Sequence, residues 1–394
     1  MIKLASRMSR LGTETAFEVL VRARALEAQG RDVVHLEIGE PDFDTPANII
    51  EAACQALHSG WTHYGPSAGL PALREAIAED ISKSRNIQVN ANEVVVTPGG
   101  KPIMYFIITA LAEEGDEVIY PNPGFPIYES VINFVGATAV PLKLAEERDF
   151  SIDVDELRKK VSARTKLIII NSPHNPCGSI LTKDDLKAIA DIAVERNIMV
   201  LSDEIYCRIL YEGEFQSITQ FPGMVERTCI LDGFSKTYAM TGWRLGYGVM
   251  PEPLANQVAK LMTNSNSCTS VHIQMAGVEA LKGPQDESYK MVEAFKERRD
   301  VIVKGLNQIP GIRCLLPKGA FYVFPNVSEV VKRGKFANAK AFADHLLQEG
   351  GVAALSGSAF GQYGEGYLRF SYANSIENIN KALDRIDSVV SKLK

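Results

Sequence analysis

Residues 167–203 read LIIINSPHNPCGSILTKDDLKAIADIAVERNIMVLSD, and the fold class follows from them. Leu167 to Asn171 is apolar without alternation, the pattern of a strand covered on both faces. Ser172 to Gly178 is a turn stiffened by two prolines and a glycine. Asp184 to Arg196 reads as a helix and Ile198 to Ser202 as a second buried strand. The same unit recurs on either side. Val94 to Thr97 is a strand, Pro98-Gly99-Gly100-Lys101 a turn and Pro102 to Leu111 a helix. Glu117 to Tyr120 leads through Pro121-Asn122-Pro123-Gly124 into a helix around Ile127 to Val135, and Cys229 to Leu231 is a further strand. Such alternation predicts an α/β fold with a mostly parallel central sheet flanked by helices, its sites at the carboxyl ends of the strands.

The flanks read differently. Glu14 to Gln29 is expected to be a helix with its apolar stripe at Phe17, Leu20 or Val21, and Ala25, closed by Gly30. Val33 to Ile38 is expected to be a strand, followed by the turn-rich Gly39 to Phe43. Ala47 to Leu57 and Leu70 to Ser82 are helices around the loop Trp61 to Pro66. After Lys282 a long helix precedes strands near Ala320 to Phe324 and Tyr367 to Tyr372, with helices at Asn338 to Glu349 and Ile376 to Lys392. This predicts a second, smaller α+β domain. The expected division is an N-terminal arm and part of the small domain over 1–45, a large domain over 46–285 and the small domain over 286–394.

The 394 residues suffice for two domains and a large core. A net charge of −6 without a Lys/Arg run argues against nucleic acid. No apolar stretch is long enough to span a bilayer, and residues 1–11 lack the core of a secretory signal, so no membrane partner is expected. Six cysteines lie singly, with no C-x-x-C pair, which suggests neither zinc nor disulfides and fits a reducing cytoplasm.

Several residues carry candidate chemistry. Lys236 lies shortly after the strand Cys229 to Leu231. There a lysine can lose its proton more easily than a solvated one and form a Schiff base with an aldehyde cofactor. Arg244, eight positions on, offers a fork of donors for a phosphate. The pair suits pyridoxal 5′-phosphate (PLP). Asp203, at the end of a buried strand, either faces a pyridine nitrogen or caps the next segment. Tyr206 and Asn175 either donate to the cofactor's phenolate oxygen or serve packing and turn geometry. Gly99-Gly100-Lys101, opening a helix, is a plausible phosphate cradle. Phe125 either stacks on an aromatic cofactor or belongs to the core, and Tyr64 either reaches a phosphate or anchors its loop. Arg369, inside an apolar strand, needs a partner: a substrate carboxylate or an internal acid. His174 and Cys177 form no evident nucleophile pair, since no orienting acid accompanies them.

Taken in order, these segments resemble the class I aminotransferases, PLP enzymes of fold type I. The resemblance spans the chain: Glu37 to Phe43, Tyr64-Gly65-Pro66, Pro98 to Lys101, Asn175-Pro176, Asp203 to Tyr206, Ser235-Lys236 to Arg244, Pro317 to Tyr322 and Leu368 to Ser371. It implies Lys236 as the Schiff-base lysine and Asp203 as the partner of the pyridine nitrogen. Asn175 and Tyr206 would donate to the phenolate oxygen. Ser235, Arg244 and the Gly100-Lys101 backbone would hold the phosphate, with Tyr64 reaching in from the other subunit of a homodimer. Phe125 would stack on the ring. Arg369, with backbone at Gly39, would grip the substrate α-carboxylate. The implied reaction moves the amino group of an L-amino acid to a 2-oxo acid, 2-oxoglutarate or pyruvate, with ping-pong kinetics.

Three departures bear on specificity. Aspartate-specific relatives often carry tryptophan where this chain has Phe125, and His174 and Cys177 flank the Asn175-Pro176 turn. In the N-terminal helix, where some relatives place small hydroxyls for a distal carboxylate, the register puts Ala16 and Glu18; Lys101 matches a lysine of those enzymes. A broad or non-acidic donor range is expected, with aspartate as the alternative. Other readings are a PLP-dependent C–S lyase and a non-catalytic ligand-sensing domain. A nicotinamide dehydrogenase lacks its glycine fingerprint.

Overall fold

A computed structural model describes residues 2–393. Its strands are β1 Val34–His35, β2 Val94–Thr97, β3 Glu117–Asn122, β4 Thr138–Lys143, β5 Thr165–Asn171, β6 Met199–Asp203, β7 Thr228–Gly233, β8 Gly246–Val249, β9 Tyr322–Val323, β10 Val352–Ala353, β11 Leu355–Ser356 and β12 Leu368–Ser371. Seven of them form one sheet in the order β2-β8-β7-β6-β5-β3-β4. Only β8 runs antiparallel to its neighbours, so the sheet is mostly parallel, as expected.

The apolar runs explain the centre. Every residue of β7 is buried, as are Val200 to Asp203 of β6 and Leu167 to Asn171 of β5. Side chains of one parity, such as Leu167, Ile169 and Leu201, pack on the helix Lys101–Leu111. Those of the other, such as Ile168, Ile170 and Val200, meet the helix Lys183–Arg196. Each fully buried aliphatic side chain contributes about 1.5–3 kcal/mol.

The register levels the strand ends. Asn171 of β5 is opposite Asp203 of β6, and Asp203 is opposite Leu231 of β7. Beside them, Gly246 of β8 faces Gly233 of β7 and Thr97 of β2. A Cβ on Gly246 would lie 2.5–2.6 Å from the Gly99–Gly100 backbone, so only glycine lets β8 approach that turn.

A separate core gathers Phe295, Phe321, Phe342, Phe370 and Tyr372 with the helix Ile376–Ser391, next to the sheet β11-β12-β9. The chain near the N-terminus joins this region: β1 pairs with β10, and Ala23 and Leu26 pack on Leu347 and Ala353. No described helix is long and apolar enough to cross a membrane.

Several expectations need correction. The first helix covers Ala16–Glu27, and its buried stripe is Ala23 and Leu26, with Val19 partly buried. Phe17 and Val21 are 60% and 68% exposed. Two apolar stripes coexist in that segment, and only packing on Leu347 and Ala353 selects between them. Of Val33 to Ile38 only Val34 and His35 are strand, because β10 offers only two residues to pair with. The helix expected over Asn338 to Glu349 ends at His345 and continues as a π-turn through Gly350. Asp203 is the last residue of β6, and no helix directly follows it to cap.

Candidate active site

Loops leaving the strand ends enclose a cavity of about 520 Å³. Lys236, two residues beyond Phe234, points into it, and its Nζ donates to the Gly39 carbonyl at 2.5 Å. Burial pulls the Lys236 ammonium down to about 8, which the carboxylate of Glu40 partly opposes. The result is an amine that sheds its proton more readily than a solvated lysine.

Asp203 lines the same cavity at the sheet's centre. Its Oδ2 accepts from the Tyr128 hydroxyl at 2.5 Å and its Oδ1 from the Ile205 N–H at 3.3 Å. Burial pushes the carboxyl up to about 6, while the Tyr128 hydroxyl and the Ile205 N–H hold it down. It is therefore an anion at neutral pH, fixed in direction by two donors.

Asn171 ties the neighbouring turn in place. Its Nδ2 donates to the Asp203 carbonyl at 2.9 Å and to the Pro173 carbonyl at 3.2 Å, and its Oδ1 accepts from the Asn175 N–H at 2.8 Å. Asn175 is thereby presented to the cavity, where its Oδ1 accepts from Arg369 Nη1 at 3.3 Å. Arg369 is 5% exposed, on β12. Its Nη2 donates to the Glu37 carbonyl at 2.5 Å, its Cζ lies 4.5 Å from the Tyr322 ring centre, and its Nε has no partner. No carboxylate side chain bonds it among the described residues, so the internal salt bridge considered for it is absent. A buried guanidinium held only by carbonyls keeps capacity for an anion.

Tyr206 is buried, and its hydroxyl shares a hydrogen bond of 2.8 Å with that of Tyr322. Phe125 lines the cavity wall edge-on to Tyr128, with ring centres 5.8 Å apart. At the other end stand Gly100 at the start of the helix Lys101–Leu111, Ser235 and Arg244. Arg244 has φ +57°, and its Nη1 donates to the Thr241 carbonyl at 2.7 Å. Gly99 has φ +88°, and a Cβ there would overlap the Arg244 guanidinium. The left-handed φ favours glycine there, and the guanidinium, at the end of a flexible side chain, would have to move aside for a Cβ.

The structure thus brings Gly39, Gly100, Lys101 and Phe125 to one cavity with Asn175, Asp203 and Tyr206, and with Ser235, Lys236, Arg244 and Arg369. Tyr64 is not among them: it is 90% exposed beside Trp61 and His272 in a different depression. Glu18 is also outside the cavity, on the exposed side of its helix; the acid that enters is Glu14. His174 is buried behind the turn, held neutral by burial that lowers it to about 3, and makes no dyad with Cys177. Tyr128, Asn171, Tyr322 and Glu14 were not legible as site residues. Each acts through a neighbour supplied by a different segment, except Asn171, whose Asn-Ser-Pro turn carries a weak local signal.

The pattern of the family "Aminotransferase class I and II" matches residues 31–386. An aspartate aminotransferase of Bacillus sp. (strain YM-2) is 39% identical, over 98% of this chain and 99% of that one. Aromatic-amino-acid aminotransferase 2 of Thermococcus litoralis is 39% identical over 93% and 94%. The solved structure of an alanine aminotransferase from Pyrococcus furiosus superimposes with a TM-score of 0.94 at 36% identity, covering 99% of this chain and all of that one.

Proposed function

The chain belongs to the class I and II aminotransferases and is a transaminase acting on amino acids and 2-oxo acids, and we propose that it does so with PLP held in the cavity around Lys236. The donor set supports that cofactor. Gly100, Ser235 and Arg244 form an anion-binding end: a helix start with its free N–H groups, a hydroxyl and a guanidinium. The left-handed φ of Gly99, which glycine adopts without strain and which brings the turn against the Arg244 guanidinium, supports a built phosphate cradle. Asp203 would hold the pyridine nitrogen, Phe125 the ring face, and Asn175 and Tyr206 the phenolate oxygen. When bound, PLP supplies an aldehyde for the amino group and an electron sink for the Cα carbanion.

The residues' own work follows. Arg369 and the Gly39 backbone would orient the α-carboxylate, with the unpartnered Nε of Arg369 supporting this role. Lys236 would hold the cofactor's aldehyde carbon in the resting enzyme and, once freed, its Nζ would be the base that takes the Cα proton and holds it for return. Asp203, an anion fixed by Tyr128, would keep the pyridine nitrogen protonated. The overall reaction would move the amino group of an L-amino acid to a second 2-oxo acid, 2-oxoglutarate or pyruvate, in two half-reactions with ping-pong kinetics.

We further assign a broad or non-acidic donor range. Aspartate is the second reading, supported by Lys101 in the cavity and by the aspartate aminotransferases among the relatives. The enzyme would act as a cytoplasmic homodimer built from the two domains delimited above. Exposed Ile2, Leu4 and Tyr64 would be covered by the second copy, whose own phosphate end Tyr64 would complete.

The observation that carries this reading is one half-buried amine, Lys236, sharing a cavity with a fixed carboxylate and an underpartnered guanidinium. Borohydride reduction of the PLP-loaded protein, followed by peptide mass spectrometry, tests it. The cofactor's mass is expected on the peptide carrying Lys236. Its attachment elsewhere, or nowhere, would overturn the assignment.

A further inference from the structure

Lys101 is the first residue of the helix Lys101–Leu111, where the helix dipole disfavours a cation. Helix stability therefore does not explain it. Its Nζ lies 5.6 Å from the Phe125 ring centre and forms an ion pair with Glu14, 87 positions away in the chain. Glu14 directly precedes Thr15, the residue that opens the first helix, so its side chain turns back into the cavity instead of following the helix surface. That side chain is 18% exposed, against 48% for Lys101. Its charge reaches inward: it favours the charged forms of both Lys236 and Arg369.

Resting on the assignment of Arg369 and Lys236 to the α-carboxylate and Cα, we infer that Glu14 is a specificity-determining residue. It occupies Lys101, closes the side-chain end of the pocket to a second carboxylate, and directs the enzyme to amino acids with uncharged side chains. The charge count decides the point. Lys101 and Glu14 sum to zero, so a dicarboxylic substrate would bring one uncompensated negative charge beside a fixed one. An uncharged side chain meets Ala16, Phe17, Ile38 and Phe125, apolar surfaces of the same cavity, and leaves the pair intact. A cationic side chain gains nothing, because Lys101 already neutralises Glu14. Discrimination of this kind works by penalising the wrong ligand.

Glu14→Gln removes the charge and keeps the size. In the PLP-loaded enzyme, the ratio of kcat/KM for L-aspartate to that for L-leucine is expected to rise about three- to fivefold. Maleate, a dicarboxylate that cannot react, is expected to bind more tightly by a similar factor in a spectral titration. Adding Lys101→Met to Glu14→Gln should erase both gains, because the freed ammonium is what receives the carboxylate. An unchanged ratio, or wild-type enzyme that prefers aspartate to leucine, would overturn the role of Glu14 while leaving transamination standing. Protein that converts neither amino acid, wild type included, would overturn the underlying assignment and this inference with it.

Discussion

At the scale of the residue, Lys236 is governed by its burial. The folded chain releases its proton near pH 8, whereas an unfolded lysine holds it to about 10.4. Between those values the unfolded state binds more protons, so this group adds stability as pH rises through the window and none is gained below it. Only the neutral amine adds to an aldehyde. The rate of PLP uptake by cofactor-free protein, followed by stopped-flow absorbance, should climb about tenfold per pH unit below 8 and level off above it. A rate independent of pH between 6 and about 8 would contradict the burial argument. Lys236, Asp203 and Asn175 were legible because each follows or ends a recognisable apolar strand. Tyr128 was not, since helix periodicity turns it inward but its bond to Asp203 spans 75 positions. Glu14 is hidden for a different reason: it enters the cavity from just before the first helix, whereas the resemblance directs attention to Ala16 and Glu18 within it.

At the scale of the element, sequence periodicity located the buried strands well and the short ones poorly. β5, β6 and β7 lie in the sheet's interior, where both faces must be apolar, and their composition says so. β1 and β9 are two residues each, and their extent is set by partners distant in the chain, β10 and β12. The turn after β2 is the element with the sharpest consequence. Gly99 takes φ +88° and leaves no room for a Cβ beside Arg244. Gly99→Ala should therefore shift the guanidinium and strain the turn by about 1–3 kcal/mol. PLP affinity, measured by equilibrium titration, is expected to fall about tenfold or more while the far-ultraviolet circular dichroism stays native. Wild-type affinity in that variant would remove Arg244 and this turn from the phosphate site.

At the scale of the whole molecule, the cavity joins two regions of different construction. Asp203, Asn175 and Lys236 come from the seven-stranded sheet, whereas Arg369 comes from β12 beside the aromatic core of Phe321 and Phe370. The chain near the N-terminus adds Glu14 and Gly39 from a segment that itself pairs with β10. The chemistry thus requires the whole fold, and a half-reaction tests that requirement most directly. Purified PLP-loaded protein would be given one neutral amino acid and no 2-oxo acid, with the visible spectrum and the 2-oxo acid released recorded together. The account predicts that the cofactor band converts to that of the amine form and that the release stops at one 2-oxo acid per Lys236. Continued release of ammonia and 2-oxo acid beyond one equivalent, or an unchanged spectrum with every amino acid offered, would contradict it.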